Sequence, residues 1–216
     1  MINTNIKSGS LIENKVLSQT YQLLSITIAF AGIMAFASMH VSFVLNPIVM
    51  LISYFGLLFL INKNQNNSSG IFFTFALTGL LGFTLGPLLN YTISMGNSSA
   101  IGTSMLGTGA ILFLAAQIGK NKEKDFSSLG VFASIGLLIA FVVSLVNFFV
   151  FQASLLSIGI SVVFLFLSSA IIVWQINNIV RGGETNYVLA TVTLFVSIFN
   201  IFSSLLHILG FFGNDD

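Results

Sequence analysis

Long runs of residues without a charged side chain alternate with short polar segments along the chain. Four such runs lack Lys, Arg, Asp and Glu: residues 16–62, 64–119, 126–180 and 185–214. A membrane-spanning helix needs roughly 20 apolar residues, so the first three runs each predict two spans and the last predicts one. The predicted spans cover approximately residues 20–40, 46–62, 71–92, 100–118, 128–150, 155–179 and 187–209.

Turn-forming residues interrupt the long runs where seven spans require loops. A turn is predicted over residues 44–47, because Pro47 disfavours helix in the residue before it. Residues 96–99 indicate a second turn, and residues 152–154 interrupt the third run. The predicted organisation is a polar cytoplasmic tail (1–18), a seven-helix transmembrane domain (19–210) and a short external tail (211–216). The first tail lacks a sustained apolar period and is expected to be mobile.

The positive charges indicate how the chain is oriented in the membrane. Lys and Arg are enriched in cytoplasmic loops, and the seven-span count places every positive residue on one side. These residues are Lys7, Lys15, Lys63, Lys120, Lys122, Lys124 and Arg181. The alternate loops carry none, which predicts a cytoplasmic N-terminus and a C-terminus on the opposite, outer side.

Composition assigns the chain to the integral membrane class and excludes several functions. Charged residues make up 6% of the chain and hydrophobic residues 56%, with a mean hydropathy of +1.01. A net charge of +1 leaves no basic patch for nucleic acid. The absence of Cys excludes disulfides, thiolate metal sites and a cysteine nucleophile. No cofactor or metal is predicted, and no nucleophile–base pair suggests an enzyme.

The predicted spans contain small residues instead of ionisable ones. No Asp, Glu, Lys or Arg lies inside any of them, although such residues usually mark proton relays and ion pathways. Residues 82–86 have the GxxxG pattern. The favoured interpretation is close helix packing; the alternative is a cavity beside the Pro87 kink, with freed carbonyl groups.

Polar side chains concentrate on the last two predicted spans. They are Gln175, Asn177, Asn178, Ser197, Asn200, Ser203, Ser204 and His207. The last four follow the i, i+3, i+4, i+7 spacing of one helix face, so span seven is predicted to turn a polar face towards other helices. Glu184 and Thr185 are predicted to begin this helix, with Thr185 as its N-cap.

Three groups of segments resemble a known family. The first comprises residues 182–187, 190–192 and 197–202; the second comprises 77–79 and 86–90; the third comprises 14–17, 20–21 and 23–25. Together they identify the chain as similar to the Bax inhibitor-1 family, and more narrowly to its bacterial YccA branch. The resemblance implies an all-α integral membrane protein of seven transmembrane helices, with helix seven central.

The resemblance also implies a partner and a location. Proteins of the YccA branch reside in the bacterial inner membrane, where they bind the AAA protease FtsH and are degraded by it slowly. They restrain its degradation of other membrane proteins. The first functional hypothesis is therefore a non-enzymatic modulator of FtsH, in contact with membrane lipid and of unspecified oligomeric state.

The second hypothesis is a leak channel or transporter for calcium or another small solute. Members of the wider family pass calcium by means of two aspartates on helices six and seven, and those positions correspond to Gln175 and Ser197. Neither residue is acidic, which argues against this mechanism. Asn178, Asn200, Ser204 and His207 then form a possible polar core of the last two spans.

Overall fold

The described chain consists of helices joined by turns and short loops. A computed structural model describes residues 2–41 and 46–213, without the side chains of residues 2–14. Its helices are α1 (Ile2–Ser38), α2 (Pro47–Asn64), α3 (Ser68–Ser94), α4 (Ser99–Gly119), α5 (Ser127–Val146), α6 (Ser154–Val180) and α7 (Tyr187–Phe212). A π-helical turn, Asn147–Phe151, follows α5. The predicted all-α class is confirmed.

Each of the seven helices is long and apolar enough to cross a membrane, which confirms the predicted number of spans. The ends of α2 to α7 lie within about one helical turn of the predicted ends. The apolar part of α1 covers Lys15–Ser38. The chain is therefore a multi-pass membrane protein.

The N-terminal segment is helical, which the sequence did not predict. Residues 2–18 belong to α1, which begins at Ile2 and continues without interruption into the span. The mobility and the cytoplasmic location of residues 1–18 stay predictions. The sequence analysis treated this segment as a tail because it has no repeating pattern of apolar residues. Such a pattern indicates that one face of a helix packs against the protein, but backbone hydrogen bonds can form without it. No proline interrupts this segment, so the helix extends beyond its apolar part.

Two further predictions lie partly outside the described residues. Within the turn predicted over residues 44–47, residues 42–45 are outside the description, but Pro47 begins α2 as expected. The Asn46 side chain caps this helix by accepting a hydrogen bond from the Ile48 N–H at 2.9 Å. In the predicted external tail (211–216), α7 continues to Phe212, and residues 214–216 are outside the description.

The chain divides into two compact units. Unit 1 contains residues 1–91 and 179–195, and therefore α1 to α3 with the first part of α7. Unit 2 contains residues 92–178 and 196–216, and therefore α4, α5, most of α6 and the second part of α7.

Unit 1 is held together by close contact between α1 and α3. A Cβ atom on Gly82 would lie 2.7 Å from the Cα of Ala31, and one on Gly86 would lie 2.8 Å from the carbonyl oxygen of Ala35. The GxxxG segment therefore packs against another helix, as the favoured interpretation of the sequence predicted. α2 is buried much less, since Ile61 is the buried residue within its described range, Pro47–Asn64.

In unit 2, glycine allows a similarly close contact between α4 and α6. A Cβ atom on Gly119 would lie 2.6 Å from the Val173 carbonyl oxygen, and a Cβ on Gly136 of α5 would lie 2.7 Å from a Leu167 methyl group. Glycine thus brings both α4 and α5 against α6, because its missing side chain lets the helices approach.

Candidate functional site

α7 is buried or half-buried for most of its length. No side chain from Tyr187 to Gly210 is exposed, and the most apolar window of α7 is 50% buried, the highest share of the seven spans. A helix with polar residues on one face cannot place that face against lipid at low cost. Burial does not single out the predicted polar face, because Ser204 is buried whereas Asn200, Ser203 and His207 are half-buried; the inward orientation of that face stays a prediction.

The two residues that the resemblance places at the family's aspartate positions are both deeply buried in unit 2. Gln175 on α6 is 1% exposed, and Ser197 on α7 is 3% exposed. The amide nitrogen of Gln175 has no hydrogen-bond partner among the described residues. Neither side chain can carry the charge that would attract a hard cation such as calcium.

The polar residues in the second half of α7 differ in burial. Ser204 is buried, whereas Asn200 and His207 are half-buried. The His207 ring nitrogen Nδ1 lies 2.8 Å from the Ser161 hydroxyl of α6. Ser203 donates to the carbonyl oxygen of Phe199 at 2.8 Å, so its hydroxyl finds its hydrogen-bond partner within its own helix. His207 is thus in hydrogen-bonding contact with α6.

The contact at His207 is one end of a series of hydrogen bonds that the sequence did not reveal. Ser161 also donates to the Ser157 carbonyl oxygen at 3.0 Å, and the Ser157 hydroxyl accepts from Asn147 at 2.8 Å. Asn147, at the start of the π-helical turn, also accepts from the Ala153 N–H at 3.1 Å. The available signal was the serine pair spaced four residues apart on α6, which places both hydroxyls on one helix face.

Asn177 is a second residue whose role sequence reasoning missed. Its amide nitrogen lies 3.2, 2.9 and 3.1 Å from the carbonyl oxygens of Gly119, Asn121 and Lys124. Its side-chain oxygen accepts from the Phe126 N–H at 3.2 Å. The side chain therefore attaches the α4–α5 loop to α6.

Asn178 does not share this arrangement. It is half-buried, and the four bonds to the loop all belong to its neighbour Asn177. The sequence could not separate the two adjacent asparagines, because only the folded loop decides which of them it meets.

The beginning of α7 corrects one prediction. Asn186, not Thr185, is the N-cap: its side-chain oxygen accepts from the N–H groups of Val188 and Leu189 at 2.9 and 3.1 Å. Glu184 supports this turn by accepting from the Asn186 N–H at 2.7 Å. Thr185 is exposed.

Asn186 is the better cap for a physical reason. Its amide nitrogen also donates to the Gln65 carbonyl oxygen and the Asn66 side-chain oxygen, at 3.1 and 2.9 Å. A threonine hydroxyl has a single proton and could not make these bonds as well. Asn186 thereby ties α7 to the α2–α3 loop within unit 1.

A cleft of about 320 Å³ adjoins this junction. It is lined by Gln65, Asn66, Asn67, Ser68, Ile71, Thr185, Asn186 and Tyr187. The lining consists mainly of uncharged amide and hydroxyl groups, so it offers hydrogen bonds without an acid or a base.

The candidate site as a whole is neutral. α6 and α7 contain no Asp, Glu, Lys or Arg. Among the residues whose side chains are described, no group of three His, Asp or Glu residues could hold a metal ion. The chemistry that the described side chains of α6 and α7 support is hydrogen bonding and helix packing.

Comparisons with known proteins identify a family and several relatives. The sequence profile of the family described as inhibitor of apoptosis-promoting Bax1 matches residues 13–214. A protein of Escherichia coli K12 described as modulator of FtsH protease YccA is 41% identical over 97% of this chain and 95% of its own length. Uncharacterised relatives from Pseudomonas aeruginosa and Vibrio cholerae are 42% and 39% identical, over 93% and 99% of this chain and 91% and 96% of their own lengths.

Proposed function

Because the chain belongs to the Bax inhibitor-1 family, we propose that it is an inner-membrane protein that binds and modulates the protease FtsH. The observation that carries this proposal is the near full-length similarity to a relative described as a modulator of FtsH protease. A second Escherichia coli relative, equally similar, is described as an inner membrane protein. The modulation is regulatory and involves no catalysis by this chain.

The buried residues of unit 2 support regulation over cation conduction. Calcium is bound by several oxygen ligands, usually with carboxylates among them. The two positions that the resemblance assigns to the family's aspartates hold Gln175 and Ser197 in this chain. An acid-gated calcium leak through paired carboxylates is therefore not expected. Liposomes loaded with a calcium dye test this: a flux that varies between about pH 6 and 8 and disappears in Gln175→Ala would contradict it.

The N-terminal part of α1 supplies a segment that a protease could engage. Residues 2–14 precede the apolar span, which begins at Lys15. The end of a helix opens locally at low cost, so an ATP-driven protease could unwind this segment readily. With the N-terminus cytoplasmic, as the positive charges predict, this segment lies on the side from which FtsH could draw it.

The decisive experiment combines purification with turnover. The full chain, solubilised in detergent, should co-purify with FtsH, and FtsH should degrade it slowly. Deletion of residues 2–15 should slow that degradation further without preventing membrane insertion. The matched control keeps the length and composition of residues 2–15 but shuffles their order; its turnover should equal that of the natural chain if an accessible end is what FtsH requires.

Two outcomes would contradict parts of the proposal. Failure to recover FtsH with the full chain would reject binding. Unchanged turnover of the deletion variant would reject the N-terminal segment as the point of engagement. The orientation has its own test, because a reporter fused after Asp216 that is active only in the cytoplasm would exclude a periplasmic C-terminus.

A further inference from the structure

Three buried polar atoms in unit 2 have no hydrogen-bond partner among the described residues. They are the hydroxyl oxygens of Ser104 and Ser168 and the amide nitrogen of Gln175. Ser104 and Ser168 are 0% exposed, and Gln175 is 1% exposed. Leaving such a group unpaired costs about 1–3 kcal/mol, so buried polar groups normally have a partner in the protein or in ordered water.

The Ser168 hydroxyl differs from its neighbours on the same helix. Ser169 donates to the Leu165 carbonyl oxygen at 2.7 Å, and Ser161 donates to that of Ser157 at 3.0 Å. Bonding to the carbonyl group one turn earlier is the usual way in which a serine satisfies itself inside a helix. Ser168 does not use it, and its hydroxyl is therefore available to another group.

Ser161, Ser168 and Gln175 lie on one face of α6. They are spaced seven residues apart, which is close to two helical turns and about 10 Å per step. The first member already belongs to a polar chain, because its hydroxyl lies 2.8 Å from His207 Nδ1. The two deeper members are the ones without partners. The same polar face thus continues from a satisfied pair to two unsatisfied groups.

We propose that this face of α6 binds internal water at Ser168 and Gln175. Proteins hold on the order of one buried water per 27 residues, each making about three hydrogen bonds to otherwise unsatisfied groups. Water both donates and accepts, so it can satisfy the Ser168 hydroxyl and the Gln175 amide whichever way the amide is turned. This inference does not depend on binding to FtsH.

An ion does not fit the same groups. α6 and α7 contain no carboxylate to balance a cation and no lysine or arginine to balance an anion. A single charge without a partner is very costly inside a membrane protein. A small uncharged molecule carries no such cost, and water is the smallest that hydrogen-bonds in both directions.

Radiolytic footprinting of the full chain in lipid nanodiscs tests the proposal directly. Hydroxyl radicals formed from a bound water oxidise the side chains beside it. Ile172 is 0% exposed and lies between Ser168 and Gln175 on α6. The matched control is Leu77 in unit 1, also 0% exposed, whose neighbours Thr74 and Thr78 donate to carbonyl groups of their own helix at 2.8 and 3.2 Å.

The proposal expects oxidation at Ile172 to be several-fold faster than at Leu77. Equal, slow oxidation at both positions would overturn it. This comparison uses the natural chain, so it does not depend on whether any variant folds.

Substitutions provide the second test, through the sign of a stability change. Ser168→Ala and Gln175→Met each remove one partner of a bound water, so the thermal midpoint should fall by about 2–4 °C in each variant and oxidation at Ile172 should decrease. Ser169→Ala, whose hydroxyl bonds within its own helix, should leave oxidation at Ile172 unchanged. If the two groups were simply unpaired, apolar replacements would raise the midpoint, and that result would refute the proposal.

Discussion

Units 1 and 2 bury polar side chains in different ways. In unit 1, the described buried polar residues are threonines and one serine, and each has a hydrogen bond to a carbonyl group, nearly all within its own helix. They are Thr20, Thr27, Ser38, Thr74, Thr78 and Thr191. Unit 2 also buries the amides of Asn147, Gln175 and Asn177. Those of Asn147 and Asn177 bond to groups outside their own helix.

The difference shows which polar residues need the tertiary structure. A threonine hydroxyl can donate a hydrogen bond to the backbone carbonyl group one turn earlier in its own helix. It can therefore be buried without a hydrogen-bond partner from another part of the structure. An amide has two donor protons and one acceptor oxygen, and a straight helix offers it few partners. Asn177 finds four in the α4–α5 loop, whereas Gln175 has an amide nitrogen without a partner.

The largest effect is expected where unit 1 is packed most closely. Gly82→Ala would place a methyl group against the backbone of Ala31, and neither helix can yield without moving its main chain. We expect a loss of about 3 kcal/mol or more, equivalent to a thermal midpoint lower by about 6–12 °C. Scanning fluorimetry of the purified protein in detergent measures it.

The control for this substitution comes from unit 2. Gly109→Ala on α4 meets no atom within 4 Å, and its midpoint should be unchanged or slightly higher because alanine favours helix over glycine. A wild-type midpoint in Gly82→Ala would show that contact between α1 and α3 does not hold unit 1 together.

An intermediate effect is expected at the loop anchor of unit 2. Asn177→Ala leaves three carbonyl groups and one N–H without their partner. The loss should be about 2–3 kcal/mol, or roughly 4–12 °C. Limited proteolysis should also cut the α4–α5 loop faster, whereas Asn178→Ala should behave like the natural chain. Equal proteolysis of both variants would mean that Asn177 does not hold the loop.

The smallest effects, of opposite sign, are expected at two turns. Gln152 in unit 2 has a positive φ of 48°, a conformation that costs a residue with a side chain about 1 kcal/mol. Gly182 in unit 1 has a φ of 79° and avoids this cost. Gln152→Gly should therefore raise the midpoint by about 2–4 °C, and Gly182→Ala should lower it by a similar amount. Shifts of the same sign would argue against backbone strain as the cause.

The helices could be predicted from the sequence because lipid imposes a simple requirement. A backbone in hydrocarbon must satisfy its own hydrogen bonds, so long uncharged runs become helices. The starts of α2 and α6 follow from Pro47 and from the polar residues around Ser154. The helical N-terminus of α1 was missed, because lipid imposes no requirement outside the span.

The polar contacts could be predicted only in part. The spacing of Asn200, Ser204 and His207 indicates a shared face, but it cannot name Ser161 as the partner of His207. The choice of Asn186 over Thr185 as cap depends on the α2–α3 loop, which is more than a hundred residues earlier in the chain. Propensity treats both residues as good caps, so distant neighbours decide.

The small buried share of α2 has a consequence for the surrounding bilayer. α2 spans 18 residues, the shortest of the seven apolar segments, and its apolar window is 6% buried. At 1.5 Å per residue it is about 27 Å long, slightly less than the roughly 30 Å of a typical hydrocarbon core. A short helix bordered mostly by lipid is accommodated by local thinning or by flanking side chains that extend to the headgroups. Lys63 in its last turn can extend in this way.

The protein should therefore be more stable in bilayers of shorter acyl chains. Equal thermal midpoints in short-chain and long-chain nanodiscs would show that the length of α2 does not make the protein's stability depend on bilayer thickness.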